Sequence, residues 1–317
     1  MGVAGLEFQS IDQALLGQRY TIIRRLGRGG HAIVYLVDDH ATGLQRACKI
    51  ARRISVAAEL THDAAVGMRV AGPGVPVLCD SGILSDGRPY FVSEYVAGRT
   101  VDELVARGRP PLLHGLLIAR AVARTLARCH SLSIIHRDVK PRNIIVPDPC
   151  DSSAADRAQL IDFGIARPVV DKDIYWPARD LLGHQAGTHD YMAPEQLAGR
   201  RSTPRMDVYG LGASLFCMAY GRTPFVGGTI GRSVPPVHGM PNPFMGSFIL
   251  KRLTEEISFP ADIDVPLIVV NIIADATRVD PDARMQSCAE FVERLDDILR
   301  LVEPLSCSND EVGQIHL

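Results

Sequence analysis

Eight residues, His136-Arg137-Asp138-Val139-Lys140-Pro141-Arg142-Asn143, carry five charged or amide side chains directly between the apolar pair Ile134-Ile135 and the apolar run Ile144-Ile145-Val146. A surface loop would be polar beyond its ends, and a buried loop must give each charge a partner. The pattern therefore reads as a polar site set into a hydrophobic core. Asp162-Phe163-Gly164 repeats it, directly after Leu160-Ile161. A carboxylate and an amide delivered from two adjacent apolar strands suit a hard divalent cation such as Mg2+, which takes oxygen ligands and phosphate.

The rest of the chain bounds what can surround such a site. At 317 residues it exceeds the size at which one core usually stops growing, so a large two-part unit or two domains is expected. Hydrophobic residues make up 46% and charged residues 22%, which argues against disorder. A formal net charge of -2 disfavours bulk binding to nucleic acid, which needs a strong basic excess. No stretch approaches the roughly 20 apolar residues of a membrane span. The best, Val265 to Ala274, is interrupted by Asn271. Met1 to Ser10 lacks a basic region followed by an apolar core, so it does not read as a secretory signal. Leu6 stands where an N-myristoylation pattern needs Ser or Thr. The seven cysteines form no C-x-x-C pair and read as reduced thiols of a cytoplasmic protein.

Residues 1–19 read as a short leader. Strands are expected at Tyr20–Leu26, Ile33–Val37 and Arg46–Ile50, short apolar runs bounded by turn residues. Asp86-Gly87 predicts a hairpin between Gly82–Leu84 and Tyr90–Val92. After Gly98 the period becomes helical: Leu113, Leu116, Leu117, Ala121 and Val122 mark a helix over Leu112–Ser131. Further helices are expected at Met206–Gly221, Val265–Thr277 and Cys288–Leu301. Pro147 to Arg157, rich in Asp, Ser, Pro and Ala, reads as a solvent-exposed hairpin extension. The tail, 303–317, is polar and expected to be flexible. The class is α+β, a small β-rich part followed by a larger helical one.

Leu26-Gly27-Arg28-Gly29-Gly30-His31-Ala32-Ile33-Val34 lies between two strands. Glycines let a backbone approach phosphate oxygens with no Cβ in the way. By itself this is equally an ordinary hairpin turn. A dinucleotide-binding reading needs a helix after the glycines, and Ile33–Val37 reads as strand. Lys49, inside the apolar Ala47-Cys48-Lys49-Ile50, is either paired with an anion or faces water from an edge strand. Gly187-Thr188-His189-Asp190-Tyr191-Met192-Ala193-Pro194-Glu195 completes the series.

These pieces, in this order, resemble the eukaryotic-like (Hanks-type) protein kinase family, in the flavour of bacterial Ser/Thr kinases, over about residues 20 to 302. The resemblance implies a two-lobed fold: an N-lobe over 20–97 with one main helix, and a mainly helical C-lobe over 98–302. It implies ATP with Mg2+ (or Mn2+) as cofactors, and Ser/Thr hydroxyls of protein substrates as acceptors. Gly27 and Gly29 would cover the phosphates, with Ala32 replacing the third loop glycine, and Leu26 would also belong to the nucleotide-binding residues. Lys49 would hold the α- and β-phosphates. Val34, Ala47 and Ile145 would sandwich adenine, and the Glu94 carbonyl and Val96 amide would pair with its edge. Ser93, at the gatekeeper position, implies a deeper back pocket. Asp138 would accept the substrate proton, Lys140 would steady the γ-phosphate, and Asn143 and Asp162 would hold the metal. Lys140 and Thr188, the latter in the substrate-binding (P+1) loop, resemble the Ser/Thr branch. Glu195 and Arg284 resemble a structural pair, and Asp207 a brace for the catalytic loop.

Two departures stand out. The family places a helix-borne glutamate against the strand lysine; here Asp63 falls at that position, with Glu59 as its rival. The connection from Lys49 is short, and Gly67 stands where an apolar residue is usual. This points either to a slightly shortened helix or to activation by a partner or homodimer. Ile165 to Gly187 contains no Ser or Thr, so the anion facing Arg137 is expected from Asp171, Asp173 or Asp180 rather than from a phosphorylated Ser or Thr. The resulting expectation is a cytoplasmic signalling kinase with no membrane span and no nucleic-acid partner. The alternatives are a pseudokinase or docking module that binds nucleotide without efficient turnover, and a small-molecule phosphotransferase of related fold. Thr229 to Ser247, rich in Gly, Pro and Met, reads as a flexible loop.

Overall fold

Alternating burial along the first hundred residues resolves into a five-stranded antiparallel sheet in the computed structural model, which describes residues 12–13, 16–168, 188–225 and 251–306. Two compact units are present: one holds residues 1–97 and Asp162–Ile165, the other Gly98–Ile161 and the chain from Ala166 onward.

In the first unit the strands are β1 (Tyr20–Arg28), β2 (Ala32–Asp39) and β3 (Leu44–Ala51), then helix α1 (Ala57–Arg69), then β4 (Leu78–Ile83) and β5 (Pro89–Glu94). Their spatial order is β1-β2-β3-β5-β4. β3 is therefore internal, with Lys49 opposite Val34 on one side and Phe91 on the other. The period of two sends Ile33, Tyr35, Val37, Cys48, Ile50 and Val92 into one core cluster. Ala32, Ala51, Val56 and Leu60 form a second cluster with Phe91. Asp86-Gly87 does form the expected β4–β5 turn, with Gly87 at φ +86.

The segment read as a leader is tied into this sheet. Asp12 is fully buried; its carboxylate accepts from Arg88 Nη2 at 2.7 Å and from the Tyr35 hydroxyl at 2.7 Å. Gln13 donates to the Tyr20 carbonyl and accepts from the Ile22 amide, and Leu16 joins the core.

The second unit begins with β6 (Gly98–Thr100) and α2 (Val101–Arg107), whose start is fixed by a capping box between Thr100 and Glu103. Then come α3 (Leu112–Ser131), β7 (Ile134–Ile135), β8 (Ile144–Pro147), α4 (Ser152–Ala155), β9 (Gln159–Leu160), β10 (Arg167–Pro168), α5 (Pro194–Leu197), α6 (Arg205–Tyr220), α7 (Leu267–Ala276) and α8 (Cys288–Ser306). β6, β8 and β9 form a small sheet, and β7 pairs with β10. Every residue of α6 from Met206 to Tyr220 is buried, as its apolar composition all round the helix demands. Close approach is built in, because a Cβ on Gly212 would meet Ala276 Cβ at 2.7 Å. No described helix is long and apolar enough to cross a membrane.

The stretch Pro147 to Arg157 is not an exposed hairpin. Asp151 caps the short α4, Ala154 and Ala155 are fully buried, and Asp156 pairs with Arg120 of α3 at 3.0 Å. Small side chains and an N-cap let this apparently loop-like composition pack as a helical turn. Thr229 to Ser247 and the tail beyond Ser306 lie outside the described residues.

Candidate active site

Within the first unit, strand alternation puts Val34, Ala47 and Lys49 on one face, each half-buried, while their neighbours fill the core. Leu26, Gly27 and Gly29 lie at the β1–β2 turn, which the Gly29 amide closes by donating to the Ala32 carbonyl at 2.8 Å. The Lys49 ammonium meets Asp63 of α1 at 2.5 Å and Asp162 at 2.8 Å. Burial opposes its charge, but Asp162 and then Asp63 outweigh it, so Lys49 is held protonated more firmly than an ordinary lysine. Burial pushes the Asp63 carboxyl up against the pull of Lys49, and the Phe163 amide donates to it as well. Asp63 thus fills the position at which the helix partner was expected. The Glu59 side chain lies outside the described residues. The Asp162 side chain is 44% exposed, and its backbone adopts φ +68, a left-handed conformation that a non-glycine residue holds only when its surroundings enforce it.

At the end of β5, the Glu94 carboxylate accepts from the Val77 amide at 3.1 Å, and the two backbones also pair. Ser93 stands opposite Ala47 in the ladder. Val96 follows, half-buried, in the connection between β5 and residue 98.

Within the second unit, Asp138 is the centre of a hydrogen-bonded knot. Its Oδ2 accepts from Lys140 Nζ at 2.7 Å and from Asn143 Nδ2 at 3.0 Å; Asn143 Nδ2 also reaches the Asp138 carbonyl at 2.9 Å. Those contacts commit the Asn143 amide nitrogen and leave its Oδ1 as the atom suited to a cation. Ile145, on β8, is half-buried between the buried Ile144 and Val146.

The loop carrying Asp138 is braced from α6. Asp207, fully buried, accepts from the His136 amide at 2.8 Å, the Arg137 amide at 2.7 Å and His130 Nε2 at 2.8 Å. Burial opposes its charge, yet the His130 and main-chain bonds hold its pKa below the usual carboxylate value. Arg137 sits at φ +67, and its carbonyl accepts from Gln196 at 2.8 Å, so the strained residue is gripped from both sides. His136 Nδ1 accepts from the Asp138 amide, which leaves its Nε2 as the donor to the Ile161 carbonyl at 3.2 Å. His130, His136 and Gln196 were not foreseen as site supports. The position of His136 at the head of the polar run was the one available signal. Glu195 meets Arg284 in a buried ion pair.

Thr188 begins a 3-10 turn ending at Tyr191, but its side chain lies outside the described residues. So do Asp171, Asp173 and Asp180. Among the described residues no three His, Cys, Asp or Glu side chains converge as a metal cage. A hard cation would therefore draw on a carboxylate, an amide oxygen, phosphate and water, which is how Mg2+ is ordinarily held beside a nucleotide. The side chains present fit that group.

A five-stranded antiparallel sheet with one paired lysine, joined to a helical unit with a braced Asp-Lys-Asn loop, defines a phosphotransfer scaffold. The chain belongs to the protein kinase family: residues 20–294 match the family's protein kinase domain. Serine/threonine-protein kinase pkn2 of Myxococcus xanthus is 31% identical over 221 residues, 68% of this chain and 26% of that protein. A probable serine/threonine-protein kinase of Streptomyces coelicolor is 31% identical over 285 residues, 87% of this chain and 39% of that protein. One of Clostridium acetobutylicum is 28% identical over 293 residues, 90% of this chain and 40% of that protein. The chain thus spans between about a quarter and two fifths of the length of these relatives.

Proposed function

We propose that this chain is a protein Ser/Thr kinase that transfers the ATP γ-phosphoryl group to hydroxyls of protein substrates, in cytoplasmic signalling. The observation that carries the reading is the Asp138 carboxylate held by Lys140 and Asn143. Bound Mg2+ supplies charge neutralisation at the phosphates. Asn143 and Asp162 offer it oxygen, and Lys49 binds the α- and β-phosphates. Gly27 and Gly29 give backbone access to the phosphates. Leu26, Val34, Ala47 and Ile145 give apolar contact to the base, whose edge pairs with Glu94 and Val96. Asp138 orients the acceptor hydroxyl and takes its proton as the bond from the acceptor oxygen to the γ-phosphorus forms, while the bond from that phosphorus to the β-phosphate oxygen breaks and ADP leaves. Lys140, already against Asp138, is placed to steady the transferred group. Asp63 reaches Lys49 within one chain, so that pairing by itself calls for no activating partner or second copy.

Labelled ATP and a panel of protein substrates test this. Wild type should place phosphate on Ser or Thr. Asp138→Asn should lower the rate by about 10²- to 10⁴-fold with the fold intact. No transfer by wild type, or undiminished transfer by the variant, refutes it.

A further inference from the structure

Lys49 and Asp63 are 14 positions apart. Between them the chain leaves β3 at Ala51, passes a 3-10 turn at Ile54–Val56 and enters α1 at Ala57. A connection that short has little slack, so α1 sits where the end of β3 and this turn put it.

Arg88 holds both ends of that connection. Its Nη1 donates to the carbonyl of Ala51, the last residue of β3, at 3.2 Å. Its amide and its Nε donate to the Asp86 carboxylate at 3.1 and 2.6 Å, which fixes the turn through Gly87. Ile54 lies against that turn, because a Cβ on Gly87 would meet Ile54 Cδ1 at 3.2 Å. Val56 and Leu60, next along the chain, pack with Ala32, Ala51 and Phe91. The Arg88 side chain is buried, so its position depends on having an acceptor for each nitrogen.

The acceptor for Nη2 comes from before the first strand. Asp12 Oδ1 takes it at 2.7 Å, while Asp12 Oδ2 takes the Tyr35 hydroxyl at 2.7 Å. Tyr35 stands on β2 opposite Cys48, and Arg88 immediately precedes β5. One fully buried carboxylate therefore holds a side chain from each neighbour of the strand that carries Lys49.

We propose that Asp12 is a positioning residue for phosphotransfer: through Arg88 it holds the end of β3 and the start of α1, and with them the Lys49–Asp63 pair. This rests on the kinase reading. Without the Asp12 acceptor, a buried guanidinium nitrogen is unpaired, and Arg88 moves to find water. The Ala51 carbonyl and the Gly87 turn then lose their common tie, and α1 loosens at the end that precedes Asp63. Lys49 is left less well oriented toward the phosphates, a loss that falls on the rate more than on binding. The segment before β1 thus gives α1, from within the chain, the support that a partner would otherwise supply.

The test compares Asp12→Asn, Arg88→Gln, the double variant and Gln13→Ala, each at a temperature at which circular dichroism shows it folded. Asp12→Asn and Arg88→Gln should each lower kcat about tenfold with little change in the KM for ATP. The double variant should be no slower than the slower single one, because both act through one contact. Gln13→Ala cuts the bonds of the same segment to Tyr20 and Ile22 of β1, and it should keep the wild-type kcat. Amide exchange over residues 57–69 should quicken in Asp12→Asn and not in Gln13→Ala. Wild-type kcat in folded Asp12→Asn overturns the proposal, as do losses that multiply in the double variant. An equal loss in Gln13→Ala also overturns it, since general stability would then be the cause. Exchange needs no phosphate transfer and so separates the two readings. An active wild type with unaltered exchange in Asp12→Asn refutes the positioning role alone. Faster exchange in Asp12→Asn beside an inactive wild type upholds the support of α1 and refutes the kinase reading.

Discussion

Arg284 grips Glu195 with both ends of its guanidinium, Nη1 to Oε1 at 2.6 Å and Nη2 to Oε2 at 2.9 Å, and both side chains are buried. Arg284 also donates to the carbonyls of Arg278 and Arg205, so one side chain joins the ends of α5 and α6 to the turn before α8. Arg284→Ala strands the Glu195 carboxylate away from water and should cost about 3–5 kcal/mol. Replacing both partners with Met and Leu should cost markedly less than the two single changes summed. Urea denaturation of the four proteins measures this; strictly additive losses would mean that the pair is not coupled.

Asp12 lies outside the stretch matched to the kinase domain, yet it is as buried as any core residue. Asp12→Ala leaves the Arg88 guanidinium and the Tyr35 hydroxyl without their shared acceptor. A loss of about 3 kcal/mol is expected. Deleting residues 1–15 should lower the unfolding midpoint at least as far. A truncated protein as stable as the full chain would refute the anchoring role.

Gly67 lies inside α1, and a Cβ there would meet nothing within 4 Å. Glycine in a helix interior costs conformational entropy, so Gly67→Ala should stabilise by about 0.5–1 kcal/mol. Because α1 carries Asp63, the same substitution should also slow amide exchange along this helix. Thermal unfolding and hydrogen exchange provide the two readouts.

Asp190 follows Thr188 by two residues, and burial raises its carboxyl to about 6 against the opposing pull of Arg252. An unfolded aspartate titrates near 3.8. Between those values the folded state binds the proton more tightly. The stabilisation is therefore full below about pH 4 and is lost as pH rises through about 6. Asp190→Asn should flatten this slope. Urea midpoints at intervals from pH 4 to 7 compare the two; parallel profiles would exclude Asp190 as the source.

Periodicity made the helices and strands legible, and it fixed α3 at both ends: Leu112 to Ser131 is the span expected and found. The Lys49 ambiguity could not be settled from its own neighbourhood, because whether a lysine in an apolar strand is paired depends on residues far along the chain. Asp63 and Asp162 lie 14 and 113 positions away. Asp12 and Arg88 are 76 positions apart, and nothing in the local composition marks a leader aspartate as buried. The Pro147 to Arg157 stretch misled for the opposite reason. Its composition is that of a loop, but two adjacent alanines are small enough to seat against α3. Composition reports what a segment tolerates, whereas burial depends on the surface it meets.

α6 has no wet side. Such a rod cannot persist in water unless its sheath forms with it, so the second unit should assemble in one cooperative step rather than helix by helix. Any attempt to divide the protein into complementing halves must then leave this unit whole. A break near Ala97 respects that demand, while a break among α3, α6 and α7 would release a greasy spindle that aggregates before it finds its partner.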